Sequence, residues 1–271
     1  MKLPINERRI GAIVLRQYYL MRSSPTRIVP LFAWAAIDIV LWGFIARYLN
    51  GVTEGGPNFT FTLVGAVLLW NFFTRVMHGI STAFFEDVWS RNFLNVFATP
   101  LRVSEYVAGL VLTSIATSLI GLVVMLALAL GVFGLSFFAY GAAAIPFVLV
   151  LFLFGIALGI FASAIVLRLG PASEWLIWPI PALLSPFAAV FYPIGVLPAW
   201  MQWVAHALPP AYVFEGMRGI VAGHGIAWDA LAWAFGLAIV QIGIAQYVFV
   251  RVFRATVKSG LLARYSAESV T

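Results

Sequence analysis

Residues 84–106 read FFEDVWSRNFLNVFATPLRVSEY. This polar island carries Glu86, Asp87, Arg91, Arg102 and Glu105 between two long apolar runs, 59–83 and 106–130. A hydrocarbon core of ~30 Å needs ~20 apolar residues in helical form, and both runs exceed that length. The island therefore reads as a turn of the chain at a membrane surface. Outward from it, four further runs obey the same rule: 28–46 on one side, and 142–167, 175–192 and 230–250 on the other. Six crossings are expected.

The composition agrees. Of 271 residues, 63% are hydrophobic and only 10% charged, with a mean hydropathy of +1.00, more apolar surface than a water-soluble domain of this length can hide. Strands of a membrane barrel would alternate in polarity over ~10 residues, and these runs do not. Helices satisfy their own backbone hydrogen bonds in lipid, so the expected fold is an all-α membrane protein. It reads as a single transmembrane domain over 1–271: an interfacial segment 1–27, spans one to five over 28–192, an external region 193–229, the last span 230–250 and a tail 251–271.

Basic residues set the orientation, because Lys and Arg near span ends are retained on the cytoplasmic side. Lys2, Arg8, Arg9, Arg16, Arg22, Arg27, Arg91, Arg102, Arg168, Arg251, Arg254, Lys258 and Arg264 all fall on one side if the N-terminus is inside. Arg47 and Arg218 fall on the other, and Arg75 lies within the second span. Both termini are thus expected in the cytoplasm, with the chain in the inner (plasma) membrane. The net charge of +6 follows from this placement at membrane edges, so no nucleic-acid partner is expected. There is no cysteine, hence no disulfide and no thiolate site.

Residues 1–27 lack the uninterrupted apolar core of a cleavable signal, since Arg8, Arg9, Arg16 and Arg22 recur through them. At 100° per residue Ile10, Ile13, Val14, Tyr18 and Met21 share one face and Arg8, Arg9 and Arg16 another, the pattern of a helix lying in the headgroup layer. Two roles fit: an anchor alone, or a collar that grips a soluble partner at the inner surface.

Within the island, the acidic start Glu86 and Asp87, the middle Trp89, Arg91, Asn92, Phe93, Asn95, Phe97 and the stop at Thr99 and Pro100 predict a short amphipathic cytoplasmic helix. Ser104 is the expected cap of the third span. Residues 193–225 are too rich in Pro and Gly for a straight span, yet Trp200, Met201, Trp203, Val204, Ala207 and Leu208 are too apolar for a free loop. Short helices dipping into the outer leaflet reconcile the two facts. Glu215 and Arg218 stand three apart, a helical spacing that permits an ion pair.

The acidic pair, the aromatic helix and Thr99-Pro100-Leu101 together resemble the cytoplasmic coupling segment of ABC-2 type transporter permeases. The later run agrees: Pro193, Leu197, Pro198 and Trp200, then Pro209, Pro210 and Tyr212, then Glu215 and Arg218, is similar to that family's extracellular re-entrant hairpin. The resemblance covers nearly the whole chain. It implies the permease subunit of an ATP-binding cassette exporter that moves an amphipathic drug, lipid or lipid-linked glycan. It also implies two copies of a cytoplasmic ATP-binding cassette subunit, a second permease copy in a homodimer and surrounding membrane lipid as partners. ATP and Mg would be bound by the ATPase, with no cofactor in this chain. Glu86, Asp87, Arg91, Phe93, Phe97, Pro100 and Leu101 would then dock the ATPase. Pro193, Pro198, Trp200, Pro209, Pro210, Tyr212, Glu215 and Arg218 would form an external gate, or else a structural cap over the bundle.

Polar groups inside the spans need separate weighing. Asp38 lies ~15 Å into the first span, where a carboxylate calls for a partner; Arg75 and His78 are the candidates, and Arg75 either pairs with Asp38 or extends toward the inner surface. Trp34, Asp38 and Trp42 repeat every four residues, so they share a helix face that lines a conduit or packs as an aromatic belt. Gly155 and Gly159 form a G-x-x-x-G that permits close helix approach. Pro179, Pro181 and Pro186 should distort the fifth span.

No G-x-x-x-x-G-K-[ST] loop occurs, so ATP hydrolysis by this chain is not expected. His78, His206 and His224 are dispersed, and neither a metal site nor a catalytic set is expected. The rival reading is an ion-coupled secondary transporter using Asp38, Arg75 and His78, which would want paired broken helices near the midplane.

Overall fold

The computed structural model describes residues 6–23, 25–53, 59–89, 93–136, 141 and 143–260, and no strand occurs among them. The helices are α1 (Glu7–Arg22), α2 (Pro25–Val52), α3 (Gly65–Trp89), α4 (Phe93–Ala98), α5 (Val103–Phe133), α6 (Ala144–Leu169), α7 (Ile180–Leu184), α8 (Ala199–His206), α9 (Pro209–Val221) and α10 (Trp228–Lys258). A π-helical stretch, Thr60–Val64, leads into α3. Five of these elements are long and apolar enough to cross a membrane: those at Ala33–Val52, Thr60–Asp87, Val103–Phe133, Ala144–Leu169 and Trp228–Lys258.

α3 and α6 form the centre. Both are largely buried within the bundle, whereas α2, α5 and α10 turn most of their surface outward. The G-x-x-x-G explains how the two central helices approach. A Cβ added at Gly155 would lie 2.8 Å from Val76 Cβ, and one at Gly159 would lie 2.9 Å from the Met77 carbonyl, so only glycine lets the backbones come this close. Because Gly155 meets Val76 and Gly159 meets Ile80, α3 and α6 run parallel. α5 runs the other way along α3, with Gly79 against Ser114, and the Ser114 hydroxyl donates to the Val76 carbonyl across the helices at 2.9 Å.

α10 packs along α6 in the same direction. Thr256, near the end of α10, reaches the Leu167 carbonyl near the end of α6, while α9, just before α10, sets Gly216 against Phe147 near the start of α6. The chain between them must therefore return along the length of the bundle. It does so without a continuous helix, and here the expectation of a helical fifth span over 175–192 is corrected. The segment is a 3-10 helix Pro171–Leu176, a turn, the five-residue α7 and further turns. Pro179, Pro181 and Pro186 remove backbone donors along it. The path is held by side chains instead: Trp178 lies against His78 of α3 (ring centroids 4.6 Å apart), and Phe191 stacks on Trp42 of α2 (4.6 Å). Ala189, buried within this stretch, sits at φ 50°.

Candidate functional site

The polar island folds differently from the expectation of one amphipathic helix that starts at its acidic pair. Glu86 and Asp87 belong to the last turns of α3, because the buried apolar face of that helix continues through Phe84 and Phe85. The separate helix is only α4, and Thr99 closes it by donating its hydroxyl to the Val96 carbonyl at 2.6 Å. The cap of α5 is also displaced from the expected Ser104. Arg102 takes that position, and its backbone N–H donates to the Glu105 carboxylate at 2.9 Å.

Segment 88–102 is thus bounded by two buried carboxylates, Asp87 before it and Glu105 after it, with 0% and 1% of their surface accessible. Both are held by α1. The Arg16 guanidinium forms an ion pair with Asp87, whose second oxygen accepts the Tyr106 hydroxyl at 2.7 Å. Glu105 accepts the Asn6 backbone N–H at 2.8 Å and faces Arg9 at 3.5 Å. Burial acts against the charge of Arg16, but the Asp87 carboxylate more than offsets it, and Arg16 holds its proton more tightly than usual. An acid near a helix C-terminus is disfavoured by the helix dipole, so Asp87 needs such a cation.

This arrangement corrects two expectations. Arg9 and Arg16 do not turn away from the bundle; with Ile13 and Gln17, the buried residues of α1, they form the stripe that faces it. Ile13 rests on Gly109 of α5, where a side chain would collide. Asp87 in turn is not presented to a soluble partner, because its carboxylate is enclosed by Arg16 and Tyr106. The sequence held one signal for this. Arg9, Ile13 and Arg16 recur at four and three residues, which places two cations and an apolar side chain on one face.

Of the other residues expected here, Glu86 is half-buried, Leu101 packs on the core, and Asn95, Ala98, Thr99 and Pro100 are exposed. Arg91 and the side chains of Phe93 and Phe97 lie outside the described residues.

The intramembrane residues are not brought together. Arg75 lies across Gly121 of α5 and His78 faces Trp178, and no ion pair of Asp38 with either is seen among the described residues. Of the two orientations expected for Arg75, pairing with Asp38 is not seen among the described residues, because the long Arg75 side chain turns to α5 rather than α2. Trp42 is engaged with Phe191, and Trp34 is exposed on the outer face of α2.

At the opposite end, the expected pair of Glu215 and Arg218 is present at 3.2 Å. Glu215 also accepts the Ile194 N–H at 2.5 Å, and Arg218 donates to the Val190 carbonyl at 3.3 Å. These two side chains of α9 pin the chain that descends from the broken segment. Pro193 precedes a 3-10 turn, Pro198 caps α8, and Pro209 and Pro210 open α9 as buried N-terminal residues. The Tyr212 hydroxyl donates to the His206 carbonyl at 2.8 Å, and Trp200 is exposed apart from an edge contact with Phe187. α8 and α9 form a short helical hairpin here.

No curated protein matches the chain. The family described as ABC-2 type transporter matches residues 9–222. That match begins within α1, takes in the carboxylates at both ends of segment 88–102 and ends just after α9. With five apolar helices of membrane-spanning length, α3 and α6 at the centre and α2, α5 and α10 around them, the chain belongs to the ABC-2 type transporter family.

Proposed function

We propose that this ABC-2 permease is the transmembrane subunit of an ATP-driven exporter. Two copies of a separate cytoplasmic ATPase drive it, and a second copy of the chain completes the conduit. Family membership supports a transport subunit rather than an enzyme. The observation that carries the coupling role is the pair of buried carboxylates, Asp87 and Glu105, that frame the polar segment and are both held by α1. A push on segment 88–102 is passed at one end to α3, at the other to α5, and through Arg9 and Arg16 to α1. The ATPase then contacts exposed positions of that segment, Asn95 and Ala98 to Pro100, together with the outer face of α1. Asp87 and Glu105 transmit rather than touch.

The basic residues of α1, Arg102, Arg168 and the end of α10 lie at the end shared by the C-termini of α3, α6 and α10, which supports a cytoplasmic placement of that end. The return of residues 170–227 along the bundle supports a sixth, broken crossing. It also supports an external position for the α8–α9 hairpin, where Glu215 and Arg218 make it a candidate gate. The exposed Trp34 face of α2 suits an amphipathic drug, lipid or lipid-linked glycan. Ion coupling through Asp38, Arg75 and His78 is disfavoured, because Arg75 turns to Gly121 of α5 whereas His78 faces Trp178.

The test is purification of the tagged chain from its native membrane in mild detergent, followed by mass spectrometry of what accompanies it. A Walker-motif ATPase at about equal stoichiometry is the expected result. An intact preparation that repeatedly lacks one contradicts the proposal.

A further inference from the structure

α10 carries its own depth scale. Its charge-free stretch runs between Asp229 and Arg251, with exposed Trp228 and Trp233 towards one end and exposed Tyr247 towards the other. Tryptophan, tyrosine and arginine mark the edges of the hydrocarbon layer, so mid-depth falls near residue 240. Gln241 stands there. At 1.5 Å per residue it lies ~18 Å from Asp229 and ~15 Å from Arg251, in a core of ~30 Å. Its side-chain amide donates to the Ala207 carbonyl at 2.9 Å. The tip of the α8–α9 hairpin is therefore held near the middle of the bilayer. α9 agrees: its 13 residues rise ~20 Å, which matches the length of α10 from Trp228 to Gln241.

At this tip the side chains of His206 and Ala207 are exposed. The Tyr212 hydroxyl takes the His206 backbone carbonyl at 2.8 Å, and the two rings stand 6.2 Å apart. An imidazole turned to acyl chains at mid-depth would forfeit the water bonds of its ring nitrogens, and ionisable side chains within membranes face protein or a water-filled cavity instead. The backbone makes the same demand. The chain leaves helical geometry between α8 and α9, which is tolerated at depth only where protein or water meets it. A second element presents a polar group at the same level. Trp200 of α8 lies edge-on to Phe187, and Phe191 stacks on Trp42; this aromatic run extends the surface to α2. There Asp38, one turn from Trp42, is half-buried about midway between Arg27 and Arg47.

We infer that the hairpin tip bearing His206 faces a water-filled space at the middle of the bilayer, and that this space is the conduit between two copies of the chain. This rests on the reading of the protein as a two-copy permease. The wall offers an imidazole and a carboxylate to the polar part of an amphipathic cargo, and aromatic rings to its apolar part.

The chain has no cysteine, so His206→Cys places a single thiol at the tip. Ile239→Cys places one at nearly the same depth, ~200° round α10 from Gln241, where Ile239 is also exposed. Native membranes holding each variant are treated with a charged methanethiosulfonate, with and without ATP, and the adduct is quantified by mass spectrometry. The reagent attacks the thiolate, which forms in water and not among acyl chains. His206→Cys should be labelled at least roughly tenfold faster than Ile239→Cys in one condition or both. Equal rates at the two positions, or protection of His206→Cys with and without ATP, would overturn the inference, because the tip would then meet lipid or a dry contact. Ala207→Cys reads the same tip if thermal unfolding shows that His206→Cys does not fold. An ATPase that accompanies the chain while the tip stays protected would leave the exporter standing and remove only this wall of its conduit.

Discussion

Arg16→Ala removes the only cation that pairs with Asp87 among the described residues. Truncating one partner of an interior ion pair costs ~3–5 kcal/mol when the remaining charge has no compensation. Two features reduce that here. The Arg16 side chain is itself 25% accessible, and Tyr106 still donates to the second carboxylate oxygen. A loss of about 2–3 kcal/mol is expected. Asp87→Asn keeps an acceptor for Tyr106 and leaves Arg16 free to reach water, so it should cost about 1–2 kcal/mol. If the two side chains stabilise each other, the double variant costs less than the sum by about 1–2 kcal/mol. The assay is reversible denaturation of the purified chain in mild detergent, run as a complete double-mutant cycle. Additivity within ~0.5 kcal/mol would show that Arg16 and Asp87 do not stabilise each other, because independent sites behave that way. In a reconstituted complex, the single variants should also transport less per ATP hydrolysed, since α1 no longer moves with the end of α3. Asp87→Arg should lower stability, because it places a second guanidinium against Arg16 in an enclosed site.

Gly159→Val should destabilise the chain by about 1–3 kcal/mol, because its Cβ would be forced to within 2.9 Å of the Met77 carbonyl, and thermal unfolding measures the loss. Ala189→Val should cost about 2 kcal/mol, since a β-branched residue at φ 50° is strained in a buried position; a neutral effect would contradict that backbone geometry. Glu215→Ala should speed hydrogen exchange at the Ile194 amide, whose acceptor it removes, at a stability cost of about 1–2 kcal/mol; unchanged exchange would show that this contact does not hold the connector.

The long helices were legible because lipid imposes a length and a composition that the sequence displays openly. The close approach at Gly155 and Gly159 was legible for the same kind of reason, as a local spacing that permits one packing. The broken return segment was only half legible. Pro179, Pro181 and Pro186 predict distortion, but the contacts of Trp178 with His78 and of Phe191 with Trp42 that let a broken segment follow the bundle are long-range. The bracing of the polar segment was the least legible feature. Asp87 and Arg16 are 71 residues apart, and an acidic pair before a polar run reads locally as the start of a helix. Burial of Phe84 and Phe85 makes it the end of one instead. Arg75 and Asp38 show a different limit: the sequence left open whether Arg75 reaches across to Asp38 or extends toward the inner surface, and only the direction of its side chain, toward Gly121 of α5, answers that.

The central claim is that a separate ATPase engages segment 88–102. The chain has no cysteine, so Ala98→Cys introduces a single thiol at an exposed position of that segment, and Trp203→Cys places one on the exposed side of α8 at the opposite end. Each variant would be treated in native membranes with a short thiol-to-amine crosslinker, and the adducts identified by mass spectrometry. Ala98→Cys should capture a Walker-motif ATPase with an efficiency that changes on adding ATP, while Trp203→Cys should capture none. Equal capture at both positions, or none at Ala98→Cys in membranes that transport normally, would contradict the claim.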